Sequence, residues 1–336
     1  MTTIGVIGCG YWGPNLVRNF DGLPDARVKT VSDLRPGRIE FIHKNYPNVG
    51  TTFDYQGILD DPEIDAVVIV TPAETHYAIA SQALAAGKHV MVEKPMARTG
   101  DEAWSLVEQA KIAGKVLSAG HVFQFAPGVR RLKREIRVGT VGRVYHVTST
   151  RINLPPTDPR MDVVWDLAPH DCSIVLDLMD QMPVDVVATG QSYLRPGLVD
   201  NAHILMTFPD GATAHIHVGW LSSNKMRLLQ LFGERGSIQY DEMLALDGKV
   251  KLYGAGVDNR RAVSDDDSDT LVYSTGDISV LGLEQHEPLR MECHEFVKAV
   301  AGGPIPPNDG VMGARVVELL ETISNQIARM PVEMVL

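Results

Sequence analysis

Over the first third of the chain, short β-branched runs alternate with longer stretches whose apolar residues recur at helical spacing. Ile4–Ile7, Val28–Val31, Ala66–Val70, His89–Val92 and Val116–Ala119 read as strands, and Tyr77–Ala86 and Glu102–Ala113 as helices with one buried stripe. This alternation predicts βαβ units around a parallel sheet. Beyond about residue 140 the period becomes two, in Arg143–Thr150, Val184–Gly190, Ala202–Phe208, Ala212–Trp220, Arg227–Phe232 and Ser237–Asp241, with Pro, Gly and Asp turns between them. A mostly antiparallel sheet with a few helices is expected there. A helical run is expected over Cys172–Met179, and two more close the chain at Glu287–Ala301 and Asp309–Arg329. The polar stretch Arg260–Asp269 reads as a mobile loop or hairpin tip. The expected fold class is α/β, with a doubly wound parallel sheet over residues 1–121 and an α+β domain over residues 122–336.

The length, 336 residues, lets each of two domains bury a core without disulfide or metal staples. Forty-two acidic against 31 basic side chains give a net charge of −11, the wrong sign for nucleic acid or an anionic membrane surface. Cys9, Cys172 and Cys293 lie far apart with no CxxC pair, which argues against a disulfide framework and a zinc site and for a reducing cytoplasm. No basic, cleavable leader opens the sequence, and no apolar run approaches membrane-spanning length.

The chemistry begins at Gly8-Cys9-Gly10-Tyr11-Trp12-Gly13. A GxGxxG alone is weak, but this one follows a predicted strand, opens a predicted helix and is trailed some twenty residues later by Asp33, as a dinucleotide site requires. Gly8 permits the tight turn, Gly10 lets backbone approach a pyrophosphate, and Gly13 allows close helix–strand packing. The pyrophosphate is expected on the helix N-terminus. Asp33 would accept the ribose hydroxyls and repel the extra phosphate of NADP, which favours NAD, although Arg35 and Arg38 could neutralise such a phosphate. Thr71-Pro72-Ala73-Glu74-Thr75-His76 is expected beside the cofactor at the carboxyl edge of the sheet. His76 by itself reads more readily as a helix cap. Tyr11, Trp12, Leu34, Arg38, Thr71, Pro72, His76, Glu93, Lys94 and Gln124 complete the expected cofactor contacts.

Glu93-Lys94-Pro95 ends another strand. A lysine there reaches the crevice and can polarise a reacting oxygen, unless it is simply paired with Glu93 in solvent. The second half offers Trp165-Asp166-Leu167-Ala168-Pro169-His170-Asp171. If Pro169 lies in a first helical turn, His170 sits near a helix N-terminus, which disfavours imidazolium, while Asp166 and Asp171 favour it.

Taken together, Gly8–Gly13, Thr71–His76, the segment ending in Glu-Lys-Pro, and the Asp166 and His170 pair resemble the Gfo/Idh/MocA oxidoreductases over essentially the whole chain. The resemblance implies a Rossmann first domain and NAD(P)-dependent oxidation or reduction of a hydroxyl on a sugar, cyclitol or nucleotide-linked sugar. It also implies Lys94 and His170 as catalytic pair with Asp166 assisting, a cis Lys94–Pro95 bond, no metal, and a homodimer or homotetramer formed through the open sheet. Many relatives carry an Asn-Arg or Gln-Arg pair where this chain has Gly120-His121-Val122-Phe123-Gln124-Phe125. His121 and Gln124 become candidate substrate or nicotinamide contacts, and Phe123 or Phe125 candidate core. Lys94, His121, Arg151, Asn153, Asp166 and His170 are the expected substrate contacts, with Arg160 nearby. The Trp-Asp-Leu-Ala-Pro-His-Asp segment resembles a subgroup of that family associated with nucleotide-linked or antibiotic sugars, which implies a role in antibiotic or cell-surface sugar synthesis. His215 and His217 share a strand face and are expected to line it, and Leu228, Leu229 and Leu231 near Trp220 are expected to form an apolar surface for a second subunit. The alternatives are an NAD-dependent glycosidase acting by transient oxidation and a non-catalytic NAD(P)-sensing regulator.

Overall fold

The computed structural model describes residues 1–156, 161–254, 256–258, 272–274 and 276–329; Arg160 and Arg260–Asp269 lie outside them. The described residues divide into two compact units: Met1–Phe125 with His286–Glu321, and Ala126–Gln285 with the chain from Thr322 onward.

The first unit carries β1 (Thr2–Ile7), β2 (Ala26–Ser32), β3 (Gly50–Thr52), β4 (Ala66–Ile69), β5 (His89–Val92) and β6 (Leu117–Ala119). They pair in the order β3-β2-β1-β4-β5-β6, every pair parallel. Sequence order reverses between β1 and β4, so a crevice opens at their carboxyl ends. The helices α1 (Gly13–Asp21), α2 (Pro36–Asn45), α3 (Gln56–Leu59), α4 (His76–Ala85) and α5 (Gly100–Ala113) connect the strands. Every residue of β1 and β4 is buried, as expected of strands covered on both faces. β3 has no counterpart in the hydrophobic pattern because three residues at a sheet edge form no period.

The remaining elements are β7 (Val144–Ile152), β8 (Asp185–Gln191), β9 (Asn201–Thr207), β10 (Thr213–Gly219), β11 (Met226–Gly233), β12 (Gly236–Asp241), β13 (Val250–Tyr253), β14 (Gly256–Asp258), β15 (Val272–Ser274) and β16 (Ile278–Val280), with α6 (Pro127–Arg137), α7 (Val163–Met179), α8 (Pro288–Val300) and α9 (Gly310–Ala328). α8 returns to the first unit. Its Leu289, Cys293, Phe296 and Val297 join the core of β1, α1 and β2, and Phe296 meets Phe20 edge to face with ring centroids 6.2 Å apart. This return assigns His286–Glu321 to the first unit, whereas the sequence pattern groups everything after residue 121 together.

In the second unit eight strands pair as β16-β13-β12-β11-β7-β10-β9-β8, antiparallel except for β7 with β10. α7 packs on β7, β9 and β10 and is much longer than the expected Cys172–Met179. It begins at Val163 because Asp162 caps it, accepting the Trp165 N–H at 3.0 Å. Pro169 therefore lies inside the helix rather than in its first turn, and His170 is well past the N-terminus. The expected dipole effect on that imidazole does not apply, because it fades beyond the first turn. The apolar surface expected of Leu228, Leu229 and Leu231 is also not there. Leu229 and Leu231 are buried, as is Trp220, because successive strand residues point to opposite faces. His215 and His217 share the other face, where His217 pairs across β9 with His203 and their rings stack 4.2 Å apart.

Asp171 fixes α7 to the sheet. Its carboxylate accepts the Ser149 hydroxyl and Arg151 Nε–H, each at 2.7 Å, and all three residues are buried. Removing the anion leaves a buried cation short of its partner. Asp171→Ala is expected to lower unfolding free energy by about 3 kcal/mol in urea titrations; a loss below about 1 kcal/mol would show that the pair contributes little.

Candidate active site

In the first unit, the chain leaves β1 through Gly8 at φ +95°, where an added Cβ would stand 2.7 Å from the Val70 carbonyl oxygen. Only glycine fits so close a backbone approach. Around Gly10 the space is open, the nearest atom to a Cβ being an Arg35 guanidinium nitrogen at 3.8 Å. α1 follows with no side-chain cap and no acidic residue in its first turn. An uncapped helix start behind a glycine turn is an anion cradle. Tyr11 is 90% exposed and Trp12 half-buried.

Asp33 directly follows β2 and is buried. Its Oδ2 accepts the Cys9 N–H at 2.7 Å and a guanidinium N–H of Arg35 at 2.8 Å, while Oδ1 accepts the Arg35 N–H and Nε–H at 2.9 Å each. Burial pushes this carboxyl up, but the Arg35 and Cys9 hydrogen bonds outweigh it and hold it at about 2. A fixed anion, already shared with Arg35, thus stands beside the glycine turn at the end of β2. Leu34 is exposed and Arg38 half-buried in the first turn of α2.

After β4, the Thr75 hydroxyl donates to Thr71 Oγ1 and Pro72 is exposed. His76 is buried, with Nδ1 2.8 Å from the Pro95 carbonyl oxygen and Nε2 2.8 Å from that of Thr71. Burial pulls its pKa down. The ring braces the loop after β4 against the loop after β5, a role that helix capping does not describe.

The Lys94–Pro95 bond is cis, as the resemblance implies. Glu93 Oε2 accepts the Lys94 N–H at 3.1 Å, and the Trp12 side chain also bonds the carboxyl. Burial raises Glu93 to about 7, against the lowering effect of Lys94. Gly120 makes room for this group, since a Cβ there would lie 2.9 Å from the Glu93 carboxyl carbon. His121 and Gln124 follow, both buried, and Phe125 is core.

The hydrophobic pattern missed two further groups. Glu292 on α8 is fully buried, accepts an Asn308 amide N–H at 2.9 Å, and is pushed well above the carboxylate range by burial and then by the charge of Glu93. Asn308 also donates to the Ala119 carbonyl at 2.6 Å, tying this pair to the end of β6. The available signal was an acid on an apolar stripe: Leu289, Glu292, Cys293 and Phe296 follow helical spacing.

In the second unit, Asp166 and His170 lie four residues apart on α7, on one face and both half-buried. The helix is anchored there by the Trp165 indole N–H, which donates to Ser324 at 2.9 Å. Asn153 is half-buried, its amide donating to the Leu154 carbonyl at 2.6 Å. Arg151 is 3% exposed and engaged by Asp171. Among the described residues no group of three or more His, Cys, Asp or Glu side chains is arranged to hold a metal ion, and no helix is long and apolar enough to cross a membrane.

Residues 2–121 match the family model described as the GFO/IDH/MocA oxidoreductase family with an NAD-binding Rossmann fold, and residues 129–239 match the GFO/IDH/MocA C-terminal domain. The UDP-N-acetylglucosamine 3-dehydrogenase of Acidithiobacillus ferrooxidans is 30% identical over 328 residues, covering 93% of each chain. A crystal structure of that enzyme superposes with a TM-score of 0.80 at 25% identity, covering 97% of each chain. The myo-inositol 2-dehydrogenase of Thermotoga maritima is 26% identical over 71% of this chain and 75% of its own.

The raised Glu93 carboxyl has a thermodynamic consequence. Folding disfavours its ionised form, so the folded state loses stability as pH climbs from the ordinary carboxylate range through about 7. Glu93→Gln should therefore match wild type near pH 5 and exceed it at pH 8.5, on the order of 1–3 kcal/mol, in urea unfolding. A difference independent of pH would contradict the assignment.

Proposed function

The chain belongs to the Gfo/Idh/MocA oxidoreductases, and from that premise we propose that it moves a hydride between NAD and a carbinol carbon of a sugar, cyclitol or nucleotide-linked sugar. The observation that carries the reading is the first unit's crevice, where Glu93 and Lys94 leave β5 on the same sheet edge as the glycine turn and Asp33. The residues fit the cofactor: Gly8 and Gly10 admit backbone to the pyrophosphate, α1 offers its uncapped start, and Asp33 offers a permanent anion to the ribose hydroxyls. When bound, the nicotinamide supplies the hydride acceptor or donor.

Each side chain then has one task. Lys94 donates a hydrogen bond from its ammonium to the reacting oxygen and stabilises negative charge developing there. His170 takes the hydroxyl proton on a ring nitrogen during oxidation and returns it during reduction. Asp166, one turn earlier on α7, orients that imidazole. His76 keeps the loop carrying Lys94 in place. The first unit is the cofactor domain, and the second binds substrate and carries the subunit contacts. Asn153 is an expected substrate contact, whereas the buried ion pair of Arg151 favours a structural role for that residue.

Names of relatives support the substrate class: one acts on a nucleotide-linked amino sugar and another on a cyclitol. Those names favour a dehydrogenase over a glycosidase or a regulator. A homodimer or homotetramer would use the outer sheet face around His203, His215 and His217. Free, buried thiols at Cys9, Cys172 and Cys293 suit the cytoplasm.

Screening sugars, cyclitols and nucleotide sugars with NAD by NADH absorbance tests the reading, and activity on none of them would sink it. Lys94→Ala is expected to cut turnover by about 10²–10⁴ while NAD affinity stays within a few-fold; near-normal turnover would remove Lys94 from the chemistry. Asp33→Ala should weaken NAD binding about tenfold more than NADP binding in calorimetry, and equal losses would mean that the ribose is held elsewhere.

A further inference from the structure

His121 is 1% exposed, and neither of its ring nitrogens has a hydrogen-bond partner among the described residues. Leaving a buried polar group unsatisfied costs about 1–3 kcal/mol, so an imidazole in this state needs a reason. Its backbone is tightly held. The Gly120 N–H donates to the Val92 carbonyl at 2.7 Å, the His121 N–H to Ala119 at 2.7 Å, and the Gln124 N–H back to His121 at 3.1 Å. His121 is thus fixed two residues beyond β6 and beside the exit of β5, close enough to Lys94 for that charge to act on it. Burial, and then the Lys94 charge, hold its pKa at about 3, so the ring is neutral across the working range.

The position selects the ligand. Of the two mononucleotide-binding halves of this sheet, β1–β3 face the adenosine, where Asp33 lies, and β4–β6 face the nicotinamide. A neutral imidazole offers one donor and one acceptor, and a primary carboxamide offers both in return. Neutrality matters too, because an oxidised nicotinamide ring is cationic and already has the Lys94 ammonium nearby. We propose that His121 binds the carboxamide of the nicotinamide through a ring nitrogen and so fixes the rotation of the reacting ring. This assigns His121 to the cofactor rather than to the substrate, and it rests on NAD being the cofactor.

Calorimetric titration with NAD and with ADP-ribose, which lacks the nicotinamide, separates the possibilities. In the wild type both ligands should bind; binding of neither would overturn the cofactor reading and this inference with it. His121→Leu should weaken NAD about tenfold or more and leave ADP-ribose within twofold, while His121→Asn, which keeps a donor and an acceptor, should retain most of the NAD affinity. The ligand-free His121→Leu protein should melt at or above the wild-type temperature, because a merely structural histidine would lower it. Unchanged NAD affinity in the leucine variant, or equal losses for NAD and ADP-ribose, would overturn the assignment. If the leucine variant does not fold, His121→Phe and His121→Ala carry the same comparison.

Discussion

Two stretches of backbone touch where β1 and β4 end, with Gly8 packed on the Val70 carbonyl and no side chain between them. This contact shapes the crevice edge of the first unit. It brings the Cys9 N–H to Asp33, sets the start of α1, and leaves open backbone at Gly10. A methyl group at Gly8 would require the two strands to part, since the φ and the contact distance both forbid it.

The first unit treats its two key carboxyl groups oppositely. Asp33 and Glu93 both lose hydration, yet one is held at about 2 and the other raised to about 7. The difference lies in the partners. Asp33 accepts two bonds from the Arg35 guanidinium and two from backbone N–H groups, whereas Glu93 has the Lys94 N–H, the Trp12 side chain and a buried neighbour in Glu292. A carboxyl held at about 2 is a fixed anion, whereas one at about 7 exchanges its proton near neutrality, and environments that push similar groups apart mark candidate functional sites.

In the second unit, one helix carries a different division of labour. Asp171 turns inward to Arg151 and Ser149, and Asp166 and His170 share another face of α7. Pro169, buried mid-helix, gives up a backbone N–H, so the fourth carbonyl before it, that of Trp165, loses its usual partner. The Asp162 cap and the Trp165 anchor to Ser324 hold the segment that precedes that break.

Local pattern was enough for five of the six strands of the first sheet and six of the eight of the second, with β13 and β16 missed, for the glycine turn with Asp33, and for the candidacy of Lys94, Asp166 and His170, because periodicity and motif spacing are properties of neighbouring residues. It was not enough for β3, which is too short to have a period, or for α7, whose start depends on one capping carboxylate rather than on hydrophobic spacing. Whether Leu229 and Leu231 face solvent or core was decided by which side of the sheet α7 covers. The return of α8 to the first unit, which buries Glu292 beside the charge of Glu93, joins residues some two hundred positions apart. His121 is likewise buried, with no hydrogen-bond partner for its ring among the described residues. Sequence determined which groups are candidates for the chemistry, because a functional group belongs to its own side chain. Only tertiary structure decided which of those groups are ionised, paired or left without a partner, because burial and electrostatic neighbours are set by residues distant in the chain.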